Sequence, residues 1–267
     1  GVRVEATSEG RPRFGDAVEA WPYPWFADKD TAAVTDAKGQ WKLTNAPPFD
    51  ELGISLKLKH PDYASNFTGG WSLSNWGTTE EAVRDGSAIF TMRRGRLIHG
   101  CVLDAEDRPI VGAIVIWNET NSHAPETRIL TDKEGRYRLP RIWAGKTRLT
   151  VAAPNHALDS VTVLKSEENA EVNFVLAKGQ PLVLRFVDVA GAPIPDVYVS
   201  LARWRDNTSL QQNDLGIPSR ADKAGRYDWN WAPEGPLLFR AVAHGFEDAE
   251  FTIDDRDRER TLELLRK

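Results

Sequence analysis

Cysteine is nearly absent from these 267 residues: Cys101 stands alone, which excludes an intrachain disulfide and the multi-thiolate sites of structural zinc. No apolar run approaches the roughly 18 residues that a membrane-spanning helix needs, so no membrane span is expected. The charge is mixed, 34 basic against 39 acidic residues for a net −5. Without a long basic stripe to follow a phosphate backbone, nucleic acid is not an expected partner. Also missing are the Gly-x-Ser-x-Gly elbow, the phosphate loop and the dinucleotide fingerprint. The five histidines form neither a His-x-His nor a His-Glu-x-x-His spacing. Catalytic residues, metal ligands and cofactor are therefore all read as none, and the chain as a non-enzyme.

What is present is a turn written three times: Thr35-Asp36-Ala37-Lys38-Gly39-Gln40-Trp41, Thr131-Asp132-Lys133-Glu134-Gly135-Arg136-Tyr137 and Ala221-Asp222-Lys223-Ala224-Gly225-Arg226-Tyr227. The three glycines stand about 90 residues apart, the size of a small sandwich domain and too long for a solenoid unit. An aspartate can accept the backbone N–H two residues on, glycine takes the positive φ that closes the hairpin, and an aromatic restarts the strand. Asp36, Asp132 and Asp222 are thus read as turn formers.

The second copy sets the template. A strand ends at Asp104, a turn follows over Ala105-Glu106-Asp107-Arg108, and the strand Ala113–Trp117 has apolar residues at both parities, as a strand covered on both faces should. A small residue at a bend recurs as Asn45-Ala46-Pro47, Trp143-Ala144-Gly145 and Trp231-Ala232-Pro233. Alternating strands follow, with Ile54, Leu56 and Leu58, then Leu149 and Val151, then Phe239, Ala241 and Ala243 on their apolar faces. Closing strands are expected at Ala88–Met92, Val172–Leu176 and Leu262–Leu265, and a weak helical signal at Thr79–Arg84. The junctions Arg94-Gly95 and Lys178-Gly179 divide the chain into 1–95, with an aromatic-rich insertion at 66–77, then 96–179 and 180–267. Near-absent linkers imply abutting domains with some fixed contact. The abrupt start at Gly1-Val2-Arg3-Val4 makes the first copy look trimmed, and a segment of a longer polypeptide is expected.

The order of hairpin strand, Pro-x-x-Gly-Ala, Thr-Asp-x-x-Gly-Arg-Tyr, small bend and alternating strand resembles the carboxypeptidase regulatory-like domain, best in the second copy at Asp104, Pro109, Gly112, Ala113, Val115, Thr131, Asp132, Gly135, Arg136 and Tyr137. The third copy has Asp196 in place of Gly112, and the first reads Gly15-Asp16-Ala17. His60-Pro61-Asp62-Tyr63 and Ala88–Gly95 resemble tandem versions in large planctomycete and verrucomicrobial proteins. The resemblance implies an all-β chain of three tandem seven-stranded Greek-key, transthyretin-like β-sandwiches. It further implies an accessory role in an extracytoplasmic protein: periplasmic, cell-surface or secreted. Related sandwiches carry a lysine–asparagine crosslink; the second copy has Asn173 but no first-strand lysine, so that chemistry is not expected.

Ten tryptophans are many for this length, and Trp21, Trp25, Trp41, Trp71 and Trp76 all fall in the first copy. Prolines in Trp21-Pro22-Tyr23-Pro24-Trp25 stiffen an extended segment. The insertion mixes Trp71 and Trp76 with Asn75 and hydroxyls. Trp21, Tyr23, Trp25, Trp71, Asn75 and Trp76 could stack on and hydrogen-bond a sugar, or pack together as a satellite cluster. Trp41, Tyr137, Tyr227, Trp143 and Trp231 are read as core, whereas Trp204 and Trp229 could form a second exposed patch. The leading reading is a non-catalytic accessory array of a larger secreted or envelope protein, for spacing, adhesion or ligand presentation, with polysaccharide or another protein domain as partner. The alternatives are a carbohydrate-binding module and a polysaccharide- or peptide-cleaving enzyme with carboxylates at a domain junction.

Overall fold

All three signature turns close through one set of hydrogen bonds. The Oδ1 of Asp36 accepts from the N–H of Lys38 at 2.8 Å and of Gln40 at 2.9 Å. Asp132 accepts from Glu134 and Arg136 at 3.0 and 2.8 Å, and Asp222 from Ala224 and Arg226 at 2.9 and 2.8 Å. Gly39, Gly135 and Gly225 take φ of 80°, 70° and 71°. The same device recurs where the sequence reading did not single it out. Asp104 accepts from Glu106 and Arg108, and Asp188 from Ala190 and Ala192, all at 2.9 Å.

The computed structural model describes residues 1–9, 32–43, 53–64, 73, 77–117, 128–142, 145–164, 166, 168–208, 210 and 212–267. The described residues are predominantly β, in five sheets of three or four strands. The chain divides into two compact units, the first built on Gly1–Ile98 with Pro140–Ala144 and Ser166–Asn169, the second on the rest.

In the first unit β1 (Arg3–Glu9) lies between β2 (Ala32–Val34) and β3 (Gly53–Lys59), antiparallel to both. Val4, Leu56, Leu58 and Leu73 form its core. Helix α1 (Glu80–Asp85) falls where the helical signal lay. Thr79 caps it, accepting from Ala82 N–H, and Gly86 ends it in the left-handed region. Ala88–Met92, expected as a strand, joins no sheet among the described residues. It keeps the alternation, with Ile89 81% exposed and Ala88, Phe90 and Met92 half-buried.

The hydrogen bonds also correct the start of the first copy. Val2 N–H donates to Thr35 Oγ1 at 2.8 Å and Thr35 N–H to Val2 O at 2.9 Å, as Ala113 and Thr131 do at 2.8 and 3.0 Å. Gly1-Val2 therefore holds the place of Gly112-Ala113; Gly15-Asp16-Ala17 lies outside the described residues. Asp196 matches Gly112 in the third copy, at φ 58° against 73°.

The second unit contains two hub strands, the first of them from His99 onward. β4 (Ile98–Asp104) precedes β5 (Ile114–Trp117), β6 (Arg128–Leu130), β7 (Arg136–Arg138), β8 (Thr147–Ala153), β9 (His156–Val163), β10 (Ala170–Glu171) and β11 (Phe174–Leu176). It pairs antiparallel with β7, Gly100 opposite Tyr137, and parallel with β11, Val102 opposite Phe174. The other sheet runs β6-β5-β8-β9. Then follow β12 (Gln180–Val187), β13 (Tyr198–Trp204), β14 (Arg226–Ala232), β15 (Leu237–Val242), β16 (Ala249–Ile253) and β17 (Glu259–Glu263). β12 pairs antiparallel with β14 and parallel with β17, and β13-β15-β16 forms the second sheet. The described strands thus number three, eight and six in the three copies rather than seven apiece. Part of the difference is short edge pieces such as β10, of two residues.

β5 is covered on both faces, as its sequence implied: Val115 and Trp117 are buried at one parity and Ile116 at the other. Ile116, Ala152 and Leu158 belong to the same core cluster as Leu184, Phe186, Trp229 and Phe239. The second and third copies therefore share one hydrophobic core. Two ion pairs add to this junction, Arg148–Asp206 at 2.6 Å and Arg205–Asp159 at 3.0 Å. Gly179 sits so close to Trp231 that a Cβ would lie 2.4 Å from its Cα. Trp204 and Trp229 are 1% and 0% exposed, which removes the second aromatic patch: both are needed to fill this core.

Candidate functional site

The residues singled out as a sugar platform, Trp21, Tyr23, Trp25, Trp71, Asn75 and Trp76, lie outside the described residues. Of the insertion, Leu73 is described and is buried in the core of the first unit. Among the described residues a cleft opens in each unit.

The cleft of the second unit, about 590 Å³, opens beside β4 and β7 and is bordered by His99, Cys101, Asp132, Arg136, Tyr137 and Asn173. The Oδ1 of Asn173 accepts from the N–H of Cys101 at 2.9 Å and from its thiol at 3.3 Å. Its Nδ2 donates to Glu171 at 3.1 Å. The amide is thus engaged at both ends as a clip between β4 and the segment leading into β11. The Tyr137 hydroxyl donates to Val172 O at 2.6 Å. Burial, with the nearby Cys101, pushes the Tyr137 hydroxyl well above the ordinary tyrosine value, so it serves as a donor that holds the same edge. Among the described residues no hydrogen bond joins His99 to Cys101, and no group of three His, Cys, Asp or Glu could hold a metal ion. The Cys101 thiol is thus given to an amide that is itself tied down.

The cleft of the first unit is larger, about 860 Å³, and predominantly apolar. Val4, Leu56, Leu58, Trp41, Leu43, Phe90 and Met92 line it. The Trp41 and Phe90 rings lie 6.1 Å apart, tilted by 55°. Exposed Lys38 and Lys42 border it. The sequence reading placed Trp41 in the core; it is only half-buried, whereas Tyr137 and Tyr227 at the same position are 4% and 0% exposed. Only the comparison of copies in three dimensions brings out this cleft, because its walls are residues that pattern alone assigns to a closed core.

No curated protein matches the chain in sequence. Solved structures give distant likenesses. A streptococcal ancillary pilin is 11% identical over 88% of this chain and 80% of its own, at a TM-score of 0.32. The minor pilin GBS52 of Streptococcus agalactiae is 13% identical over 64% and 96%, at 0.30. The TIE protein of Bacillus anthracis is 11% identical over 99% of this chain and 52% of its own, at 0.26. Scores of this size carry no argument about function. A family match falls on the copy whose sequence pattern is most complete: residues 97–177 match the carboxypeptidase regulatory-like domain.

Proposed function

We propose that the chain is a non-catalytic accessory array of three transthyretin-like β-sandwiches, divided at 1–95, 96–179 and 180–267, that serves a larger extracytoplasmic protein as a spacer. The observation that carries this reading is the shared core of the second and third copies. Ile116, Ala152 and Leu158 leave the sheet of one to pack with the interior of the other, and a junction of this kind transmits orientation without a hinge. A spacer needs such stiffness; an enzyme at the same junction would instead need an open cleft with convergent polar groups.

Ile116→Ala tests it. The substitution should cost about 2–4 kcal/mol, and backbone hydrogen exchange should show β8 and β15 losing protection together by the same amount. Independent opening of the two copies would overturn the stiff-spacer reading.

A second reading rests on the aromatic composition of the first copy: that Trp21, Tyr23, Trp25, Trp71, Asn75 and Trp76 bind a polysaccharide. Tryptophan fluorescence titrated with soluble polysaccharides, with Trp71→Ala and Trp76→Ala as folded controls, decides it. Saturable quenching lost in either variant supports glycan binding, and no response across the panel removes it.

A further inference from the structure

The chain carries its own specification of what belongs in the cleft of the first unit. In the second and third copies the strand after the signature turn, β7 or β14, pairs antiparallel with one edge of a hub strand, and the closing strand, β11 or β17, pairs parallel with the other edge. The matching segments of the first copy are Gln40–Leu43 and Ala88–Met92. The match at the closing segment is fixed by Ala64 N–H donating to Arg93 O at 3.0 Å, as Ala157 donates to Ala177 O at 2.9 Å. These two segments flank the 860 Å³ cleft, and among the described residues no strand runs between them.

Every side chain that a hub would cover is correspondingly more open. Trp41, Leu43, Phe90 and Met92 are half-buried, whereas Tyr137, Leu139, Phe174 and Leu176 are 4%, 1%, 2% and 1% exposed. The ring pair itself is kept, at 6.1 Å for Trp41–Phe90 and 6.3 Å for Tyr137–Phe174. The turn glycines agree. A Cβ on Gly135 would lie 2.7 Å from Val102 O, and on Gly225 2.6 Å from Phe186 O, both of them hub carbonyls; on Gly39 it would meet no described atom within 4 Å.

We propose that this cleft docks one β-strand supplied by polypeptide outside these 267 residues. The strand is about seven residues long, antiparallel to Gln40–Leu43 and parallel to Ala88–Met92, with apolar side chains at alternate positions. The two hubs show the required chemistry, with Ile98 and Val102 in β4 and Leu182, Leu184 and Phe186 in β12 all 0% exposed. β4 ends at Asp104 and Asp188 directly follows β12, and Lys38, in the turn at the matching end of the cleft, suits an acidic end on the incoming strand. Main-chain pairing along both segments supplies affinity, and the alternating apolar positions set register.

The test is a fluorescently labelled peptide with the sequence of residues 180–188, titrated into the whole chain and followed by anisotropy and by amide hydrogen exchange. The expected result is saturable one-to-one binding with new protection confined to Gln40–Leu43 and Ala88–Met92. The Leu184→Asp peptide should bind at least ~10-fold more weakly, because a carboxylate would enter an apolar site. Met92→Asp in the chain should abolish binding; the exchange map on the unaltered chain decides the matter if that variant does not fold. No binding, binding without protection at those two segments, or indifference to Leu184→Asp would each overturn the proposal. So would protection already present in the free monomer, which would mean that the chain's own residues fill the cleft. Protection that rises with protein concentration in the absence of peptide would assign the site to a second copy and overturn it equally.

Discussion

Trp41 and Tyr137 follow the same turn with the same hydrogen bonds, yet Tyr137 is buried and Trp41 is half-open. The difference separates what is local in this fold from what is not. An aspartate, a glycine and the backbone between them suffice to make the turn, so it closes identically in all three copies. Burial of the aromatic needs a hub strand from elsewhere in sequence, and that contact is made in the second and third copies but by no described residue in the first.

The largest expected effect contrasts the two phenylalanines of the closing segments. Phe174 is 2% exposed in β11, paired alongside β4, so Phe174→Ala should cost about 3–5 kcal/mol. Phe90 is half-buried, and Phe90→Ala should cost about 1–2 kcal/mol for the smaller area it removes from water. Urea denaturation of the two variants checks this. Equal costs would mean that the first copy is as closed as the second, and the comparison would fail.

The turn glycines come next. All three hold positive φ, so alanine at any of them should cost about 1–2 kcal/mol. At Gly135 and Gly225 the new methyl would also strike a hub carbonyl at 2.7 and 2.6 Å, adding roughly 1–3 kcal/mol of overpacking. Gly39→Ala should therefore be the mildest of the three. A Gly39→Ala cost that grew when the strand peptide was bound would sharpen the contrast further.

Much of this was legible in sequence because it is local. The signature turns, the double-sided burial of β5, the alternation of β15 and the short helix after Thr79 follow from residue type and spacing, whereas β8, expected to alternate, buries Thr150 and Ala152 along with Leu149 and Val151. The start of the first copy was misread, since Gly15-Asp16-Ala17 resembles the family pattern while Gly1-Val2 makes its hydrogen bonds. Trp204 and Trp229 were misplaced for a related reason. A tryptophan's pattern is the same whether its strand faces water or an interior, and here Trp204 and Trp229 line a core that also takes in residues of the second copy. The open cleft left no mark on the sequence, because side chains that would face a hub look the same whether or not the hub is there.

Acid should act on the hub turns, which the described part of the first copy does not contain. The backbone N–H of Ala192, then that of Ala190 and the Arg266 guanidinium, hold Asp188 below the ordinary carboxylate value. The N–H and guanidinium of Arg108, with the N–H of Glu106, do the same for Asp104. A carboxylate depressed in the folded state contributes stability above its unfolded pKa and loses it as pH falls through the folded value. Asp188→Asn should therefore be less stable than the parent chain at pH 7, and the gap should narrow below about pH 4. Denaturation midpoints at the two pH values measure it, and a gap that widened in acid would contradict the assignment.

The smallest contrast concerns the threonine before each turn. Thr131 accepts from Ala113 N–H at 2.8 Å and donates to Ile110 O at 2.6 Å, both buried. Thr35 keeps the first of these bonds, to the half-buried Val2 N–H. Removing the hydroxyl at Thr131 strands a buried donor and should cost about 1–3 kcal/mol, whereas Thr35→Ala leaves an N–H that water can reach and should cost under ~1 kcal/mol. The third copy has Ala221 at this place, itself 3% exposed, so the loop forms without the hydroxyl and the penalty belongs to stability rather than to foldability. Docking of a hub strand over Gly1-Val2 would dry that N–H. The cost of Thr35→Ala should then rise toward that of Thr131→Ala in the presence of the peptide.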